Sequence, residues 1–261
     1  MSKISAAVTT SRRSNVVNTV LAQDVAEKLG LPFVERDNLP LAVIAERCSV
    51  EFVAVAKDNM LHVVSRNGDD FFFHPNMAKT RLKNLRKNLG DRMASAMNLE
   101  RGMSVLDCTL VLGSDATVAA YVVGDAGRVV ALESNPLIAA VVAHGLQHFI
   151  CPGEELRAAM RRVNVINANY GEFLRGLPDD SFDVVYFDPM FRAPLKKSSG
   201  LNPLRPLSDA RALTLVAANE AVRVAKRIVV LKERTGSAEF ARLGFVPIDG
   251  NGKIGYGVRR K

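Results

Sequence analysis

The sequence predicts an α/β protein: a seven-stranded, doubly wound sheet with a C-terminal antiparallel hairpin, preceded by a small α+β unit. Three observations predict it. From Gly102 onward, short runs dense in Val, Ile and Leu alternate with stretches of helical periodicity, as a parallel sheet covered on both faces requires. The last two apolar runs are separated by Asp249-Gly250-Asn251-Gly252, a strong hairpin signal. Before residue 95 the alternation is absent, and short strands and helices cluster instead.

Taken in order, residues 22–29 and 39–48 carry helical patterns. Residues 52–56, 61–65 and 70–74 read as short strands, joined by Lys57-Asp58-Asn59 and Asn67-Gly68. Residues 75–99 read as one amphipathic helix with Ala78, Leu82, Leu85, Leu89, Met93 and Ala96 on its apolar face. The α/β series then places strands at 104–109, 128–133, 163–168, 182–188 and 227–232, with helices at 115–123, 136–149, 171–177 and 208–225. Pro136 suits a first helical turn after Ser134-Asn135, and Ser208 is a cap for the long helix behind it. A short helix at 237–243 and strands at 245–248 and 253–259 complete the chain. The division expected is a unit at 1–75, a basic linking helix at 76–99 and a main domain at 100–261.

Composition narrows the function classes. Of 261 residues 48% are hydrophobic, enough to fill a core and to exclude wholesale disorder. The longest apolar run, 137–143, is far below the ~20 residues a bilayer crossing needs. The first residues lack the apolar segment of a signal peptide, so a cytoplasmic protein is expected. Cys48, Cys108 and Cys151 are odd in number and far apart, and His144 and His148 lack a metalloprotease glutamate; neither a disulfide framework nor a metal site is expected. Thirty-five basic against 27 acidic residues, a net charge of +8, favours a polyanionic partner.

Three strand ends carry candidate chemistry. The run Asp107-Cys108-Thr109-Leu110-Val111-Leu112-Gly113-Ser114-Asp115 leaves the first strand of the series and enters a helix; Gly113 lets the backbone approach a nucleotide-type ligand, and the helix N-terminus favours polar groups. The second strand ends in Glu133, 20 residues after Gly113, where a carboxylate accepts ribose hydroxyl protons. The fourth ends in Asp188-Pro189-Met190-Phe191: Asp188 is an acceptor, Pro189 stiffens the turn, and Phe191 offers a face on which a base stacks.

In the order of these junctions, in Asp188–Phe191 and in the closing hairpin, the chain resembles the Rossmann-like class I S-adenosylmethionine-dependent methyltransferases. Within that group, residues 107–116, 132–136 and 188–191 are most similar to the ribosomal small-subunit methyltransferase J family, which methylates the exocyclic N2 of a guanine in 16S ribosomal RNA. The likeness covers about residues 100–234. It implies S-adenosylmethionine as cofactor, held at Ser114, Asp115, Glu133, Ser134, Ala168, Asn169 and Asp188. The broader superfamily adds Asp107 at the methionine end and Asn167 at the adenine. Two departures stand out: Val111 occupies the place of a usual glycine, and Ser114 that of a usual arginine.

An exocyclic amine is conjugated to its ring and nucleophilically poor. Asp188 and the Pro189 carbonyl are expected to accept its two N–H groups, with Phe191 stacking on the base. Ribosomal RNA or the small ribosomal subunit is the expected partner. Its phosphates are expected to meet Lys79, Lys83, Arg86 and Lys87 on the basic helix, together with Arg81 and Arg92, and Arg192, Lys196 and Lys197 after the Asp-Pro turn. Other planar acceptors, adenine N6 or a protein amide, fit the same motif. So does a non-catalytic RNA-binding module with a degenerate cofactor loop.

Overall fold

The computed structural model describes residues 5–189, 207, 211–249 and 252–261. In chain order the first elements are β1 (Ala6–Thr10), α1 (Val16–Leu29), α2 (Leu41–Arg47), β2 (Phe52–Lys57), β3 (Met60–Ser65), β4 (Asp70–Phe72), α3 (Asn76–Arg86) and α4 (Arg92–Ala96). Next come β5 (Ser104–Asp107), α5 (Ser114–Val123), β6 (Arg128–Glu133), α6 (Pro136–His148), α7 (Glu154–Arg161), β7 (Val163–Asn167) and α8 (Tyr170–Arg175). The last are β8 (Phe182–Phe187), α9 (Leu215–Val224), β9 (Ala225–Arg234), α10 (Glu239–Arg242), β10 (Val246–Asp249) and β11 (Ile254–Arg260).

These elements form two compact units. The first comprises residues 5–74, 136–149 and Leu207. Its sheet runs β1-β2-β3-β4, with β1 parallel to β2 and the remaining pairs antiparallel. Strand β1, buried along its whole length, goes beyond the sequence expectation: five residues of Ala, Val and Thr are too few to display a period. Helix α1 starts at Val16, earlier than expected, because Asn15 caps it by accepting the Asn18 N–H at 2.8 Å. Val16, Val17 and Val20 on that first stretch face solvent, which hides the helical stripe. Helix α6 belongs to this unit. Its Gly145 lies against Phe73: a Cβ there would stand 2.2 Å from the ring's Cγ.

The second unit comprises residues 75–135, the described part of 150–197, and the described residues from 211 onward. Its sheet has the order β10-β11-β9-β8-β5-β6-β7. The five strands from β5 to β9 are mutually parallel, while β11 runs antiparallel between β9 and β10. The hairpin therefore does not merely append: its second strand inserts between the first and the rest of the sheet. Burial explains the central position of β5 and β8, whose Val105, Leu106, Val184, Val185, Tyr186 and Phe187 are at most 1% exposed. One core cluster joins Leu106, Leu132, Val185, Phe187, Val229 and Leu231 to Leu174, Ala218 and Phe240.

Two expected helices are corrected and one helix is added. Residues 75–99 are not one helix. Asn88 and Gly90 adopt left-handed φ of 57° and 71°, ending α3, and Asp91 starts α4 by accepting the Ala94 N–H at 3.0 Å. Leu89, placed on the buried stripe by periodicity, is 70% exposed as a result. The helix expected at 208–225 begins at Leu215, where Thr214 Oγ1 accepts the Ala217 N–H; Ser208 lies outside the described residues. Helix α7 is an addition to the expected elements, although Glu154 and Glu155 favour its N-terminus and Leu156, Ala159 and Met160 bury one face.

Candidate functional site

Parallel strands deliver all their carboxyl ends to one edge of the sheet. That topology alone assembles Asp107 (end of β5), Glu133 (end of β6), Asn167 (end of β7) and Asp188 (after β8) along one rim. Gly113, with φ 70°, turns the chain into α5, whose first residues are Ser114 and Asp115. Helix geometry leaves the N–H groups of that first turn without intrahelical acceptors. Val111 also holds a positive φ of 46°, a conformation unfavourable for a β-branched residue.

Asp107 is 1% exposed. Its Oδ1 accepts the Thr109 N–H at 2.9 Å, whereas its Oδ2, fully buried, has no partner among the described residues. Burial pushes this carboxyl up to about 8, with Asp115 and Asp188 adding repulsion and the Thr109 N–H opposing it. Thr109 also ties the two central strand ends together, its Oγ1 accepting the Asp188 N–H at 2.6 Å.

Glu133 is buried and anchors its own surroundings. Its Oε1 accepts the Asn135 N–H at 2.8 Å, with the N–H groups of Val111 and Ser134 near enough to favour the ionised form. Burial raises its pKa against those donors. The Asn167 amide donates to the Glu133 and Ser134 carbonyls at 2.7 and 3.2 Å, so its Nδ2 secures the end of β6. The Ala168 N–H bonds the Glu133 carbonyl at 3.0 Å. Asn169 Oδ1 caps α8 through the Gly171 N–H at 2.9 Å.

The Asp115 side chain is engaged by three residues from other elements. Its Oδ1 pairs with Arg81, and its Oδ2 accepts the Tyr186 hydroxyl at 2.8 Å and Lys232 Nζ at 3.0 Å. Lys232 Nζ reaches Asp188 Oδ2 at 2.6 Å as well. Arg81 continues the chain of charges to Asp91 at 2.7 Å. Burial alone would raise the Asp115 carboxyl, but Lys232 and Arg81 hold it well below the usual carboxylate range. Burial raises Asp188 despite the pull of Lys232, although 24% of its side chain still reaches solvent. For Lys232 burial would lower the ammonium, and the two carboxylates reverse that.

The structure thus brings Asp107, Asp115 and Asp188 around one lysine, with Glu133 on the neighbouring strand end. Sequence reasoning misses Lys232, Tyr186 and Thr109. A charge closing the run Val229-Val230-Leu231 and a lone phenol within Val184-Val185-Tyr186-Phe187 are the available signals. Arg81, expected on an RNA-facing surface, turns inward instead, with 18% of its side chain exposed. Lys79, Lys83, Arg86 and Lys87 are not buried, and Arg86 faces Glu155 at 3.4 Å. Pro189 is half-buried beside Asp188. Phe191, Arg192, Lys196 and Lys197 lie outside the described residues. Among the described residues no cluster of His, Cys, Asp or Glu is placed to hold a metal ion, and no helix is long and apolar enough to cross a membrane.

Residues 24–240 match a family model described as "Putative SAM-dependent methyltransferase". "Uncharacterized protein YpiP" of Bacillus subtilis is 39% identical over 238 residues, covering 91% of this chain and 92% of that protein. The ribosomal RNA small subunit methyltransferase J of Shewanella amazonensis is 33% identical over 151 residues, which span 55% of this chain and 58% of that one. Among solved structures, the SAM-dependent methyltransferase NGO1261 from Neisseria gonorrhoeae superposes with a TM-score of 0.63 at 17% identity, covering 97% of this chain and 95% of that one. That likeness shows the shared fold.

Proposed function

Because the chain belongs to the SAM-dependent methyltransferase family, we propose that it transfers a methyl group to the exocyclic N2 of a guanine in small-subunit ribosomal RNA. S-adenosylmethionine is the cofactor of this family, and when bound it supplies an activated methyl group. The donor set fits such a molecule: Asp107 Oδ2, without a partner among the described residues, seeks a hydrogen-bond donor such as an ammonium, and Glu133 at the end of β6 suits ribose hydroxyls. The first-turn N–H groups of Ser114 and Asp115 suit a carboxylate. Ser134, Ala168 and Asn169 line the adjacent strand ends, and the Asn167 amide nitrogen secures the Glu133–Ser134 backbone.

The observation that carries the acceptor assignment is the placement of Asp188 and Pro189 at the end of central strand β8. The Asp188 backbone is held by Thr109, and its Oδ2 by Lys232. With that oxygen engaged, the other accepts one N–H of an amine while the Pro189 carbonyl takes the second. Two acceptors in this arrangement hold a planar amine with its lone pair aimed at the donor, the orientation in-line transfer needs. Asp188 orients and polarises the amine; full proton abstraction before methyl transfer is unnecessary. The relatives named ribosomal RNA methyltransferases, the net charge of +8 and the basic face of Lys79, Lys83, Arg86 and Lys87 support a nucleic-acid acceptor over a protein amide or a non-catalytic role.

Mass-spectrometric mapping of methylated nucleosides in ribosomal RNA from cells lacking the protein tests the assignment. One N2-methylguanosine should disappear from the small-subunit RNA and return on complementation; an unchanged N2-methylguanosine inventory rejects the substrate.

A further inference from the structure

We propose that Lys232 is a positioning residue for methyl transfer: it clamps the Asp188 carboxylate to Asp115, so that Asp188 presents a fixed free oxygen to the acceptor amine. The inference rests on the reading of Asp188 as the amine's acceptor. Register puts the clamp in place. Leu231 of β9 pairs with Phe187 of β8, so the next residues along each strand, Lys232 and Asp188, emerge side by side. On the other flank Lys232 pairs with Tyr256 of β11, so the inserted hairpin strand walls the ammonium in. The hydrogen bonds are 2.6 Å to Asp188 and 3.0 Å to Asp115, and 20% of the lysine side chain is exposed.

Among the described residues, the charged and titratable groups around Asp188 give the lysine a further task. Asp115 on α5 and Asp107 on β5 both repel a second carboxylate, and Tyr186 on β8 and Tyr256 on β11 offer no compensating charge. Arg81 is directed to Asp91 and Asp115. Among the described residues Lys232 is therefore the cation that bridges Asp188 and Asp115 and favours their being ionised together. A protonated Asp188 would be a much weaker acceptor for an amine N–H. The same lysine ties the acceptor side of the site to Asp115, at the start of the helix that follows the cofactor loop.

The test follows the Asp188 carboxyl by ¹³C NMR in ligand-free protein, using Asp188→Asn to assign its signal. Wild type is compared with Lys232→Met, Lys232→Gln and Lys232→Arg; the glutamine variant serves if the methionine variant does not fold. The Asp188 midpoint should rise by about one pH unit or more in the neutral variants, a roughly tenfold loss of ionised form below both midpoints, and return in Lys232→Arg. With total ribosomal RNA from cells lacking the protein as acceptor, the acid limb of turnover against pH should move by the same amount, while KM for S-adenosylmethionine changes less than about threefold. An unmoved midpoint in the neutral variants, or a turnover loss equal at every pH, overturns the role. If wild type itself transfers no methyl group to that RNA, the guanine reading fails, and the ligand-free titration still decides Lys232.

Discussion

Thr109 accepts the backbone N–H of Asp188 through its Oγ1 at 2.6 Å, although the two residues are 79 positions apart. The same threonine donates its own N–H to Asp107 at 2.9 Å. One side chain therefore fastens the loop after β5 to the turn after β8, between the cofactor half of the rim and the acceptor half. Thr109→Val keeps the shape and removes the acceptor, leaving a half-buried N–H unsatisfied. A loss of about 1–3 kcal/mol is expected in urea unfolding, with Thr109→Ser close to wild type. Turnover should fall with stability in the valine variant alone.

Burial pushes the Asp107 carboxyl up to about 8, so the folded state binds its proton more tightly than the unfolded chain does. The sign follows: its contribution to stability is fully present below about pH 4, falls as pH rises, and is lost once pH passes the folded value near 8. Asp107→Asn should flatten the decline of unfolding free energy across that window. If a ligand ammonium meets the unpartnered oxygen, binding of S-adenosylmethionine at pH 7 releases up to about one proton from this carboxyl. Calorimetry in two buffers of different ionisation enthalpy reads that release, and Asp107→Asn should abolish it. Equal binding enthalpies in both buffers would remove Asp107 from the cofactor ligands.

Val111 sits in left-handed backbone at φ 46°. A residue with a side chain loses about 1–2 kcal/mol there, and glycine recovers it at an entropic cost of about 0.5–1 kcal/mol. Val111→Gly should therefore raise the unfolding free energy by up to about 1 kcal/mol without weakening S-adenosylmethionine binding. A lower urea midpoint would show that packing of the isopropyl group outweighs the backbone strain.

Lys79, Lys83 and Lys87 face solvent, while Arg81 between them faces the charge cluster. Replacing Lys79 and Lys83 by Gln should weaken RNA binding and reduce the slope of log affinity against log salt by about 1 for each phosphate that a lysine no longer neutralises. The thermal midpoint of that double variant should stay within about 2 °C of wild type. Arg81→Gln should behave in the opposite way, lowering the midpoint because Asp91 and Asp115 lose a buried partner. An unchanged salt slope in the double variant would place the RNA on another face.

Much of this architecture is legible in the sequence. Strand β6 lies at its expected limits, because Val129-Val130-Ala131-Leu132 sits between an exposed Arg128 and a turn. Helix α6 begins at Pro136 as its first-turn preference requires. The break between α3 and α4 is less visible: the apolar stripe continues through Leu89, and only the left-handed Asn88 and Gly90 interrupt it. Strand β1 is hidden by brevity, and α7 by a charged surface outweighing its three buried residues.

The amino-acid order by itself determined the parallel α/β succession and the acids that close its strands, since periodicity and end residues are local properties. From those, a shared rim for Asp107, Glu133 and Asp188 follows directly from parallel connectivity. Which charges meet on that rim was decided only in three dimensions. Lys232 and Asp115 are 117 positions apart and Arg81 and Asp115 are 34 apart. Their pairing depends on β9 lying next to β8, on β11 inserting beside β9, and on α3 packing against α5. Electrostatic partners are selected by spatial proximity in a low-dielectric setting, and no local period encodes that proximity.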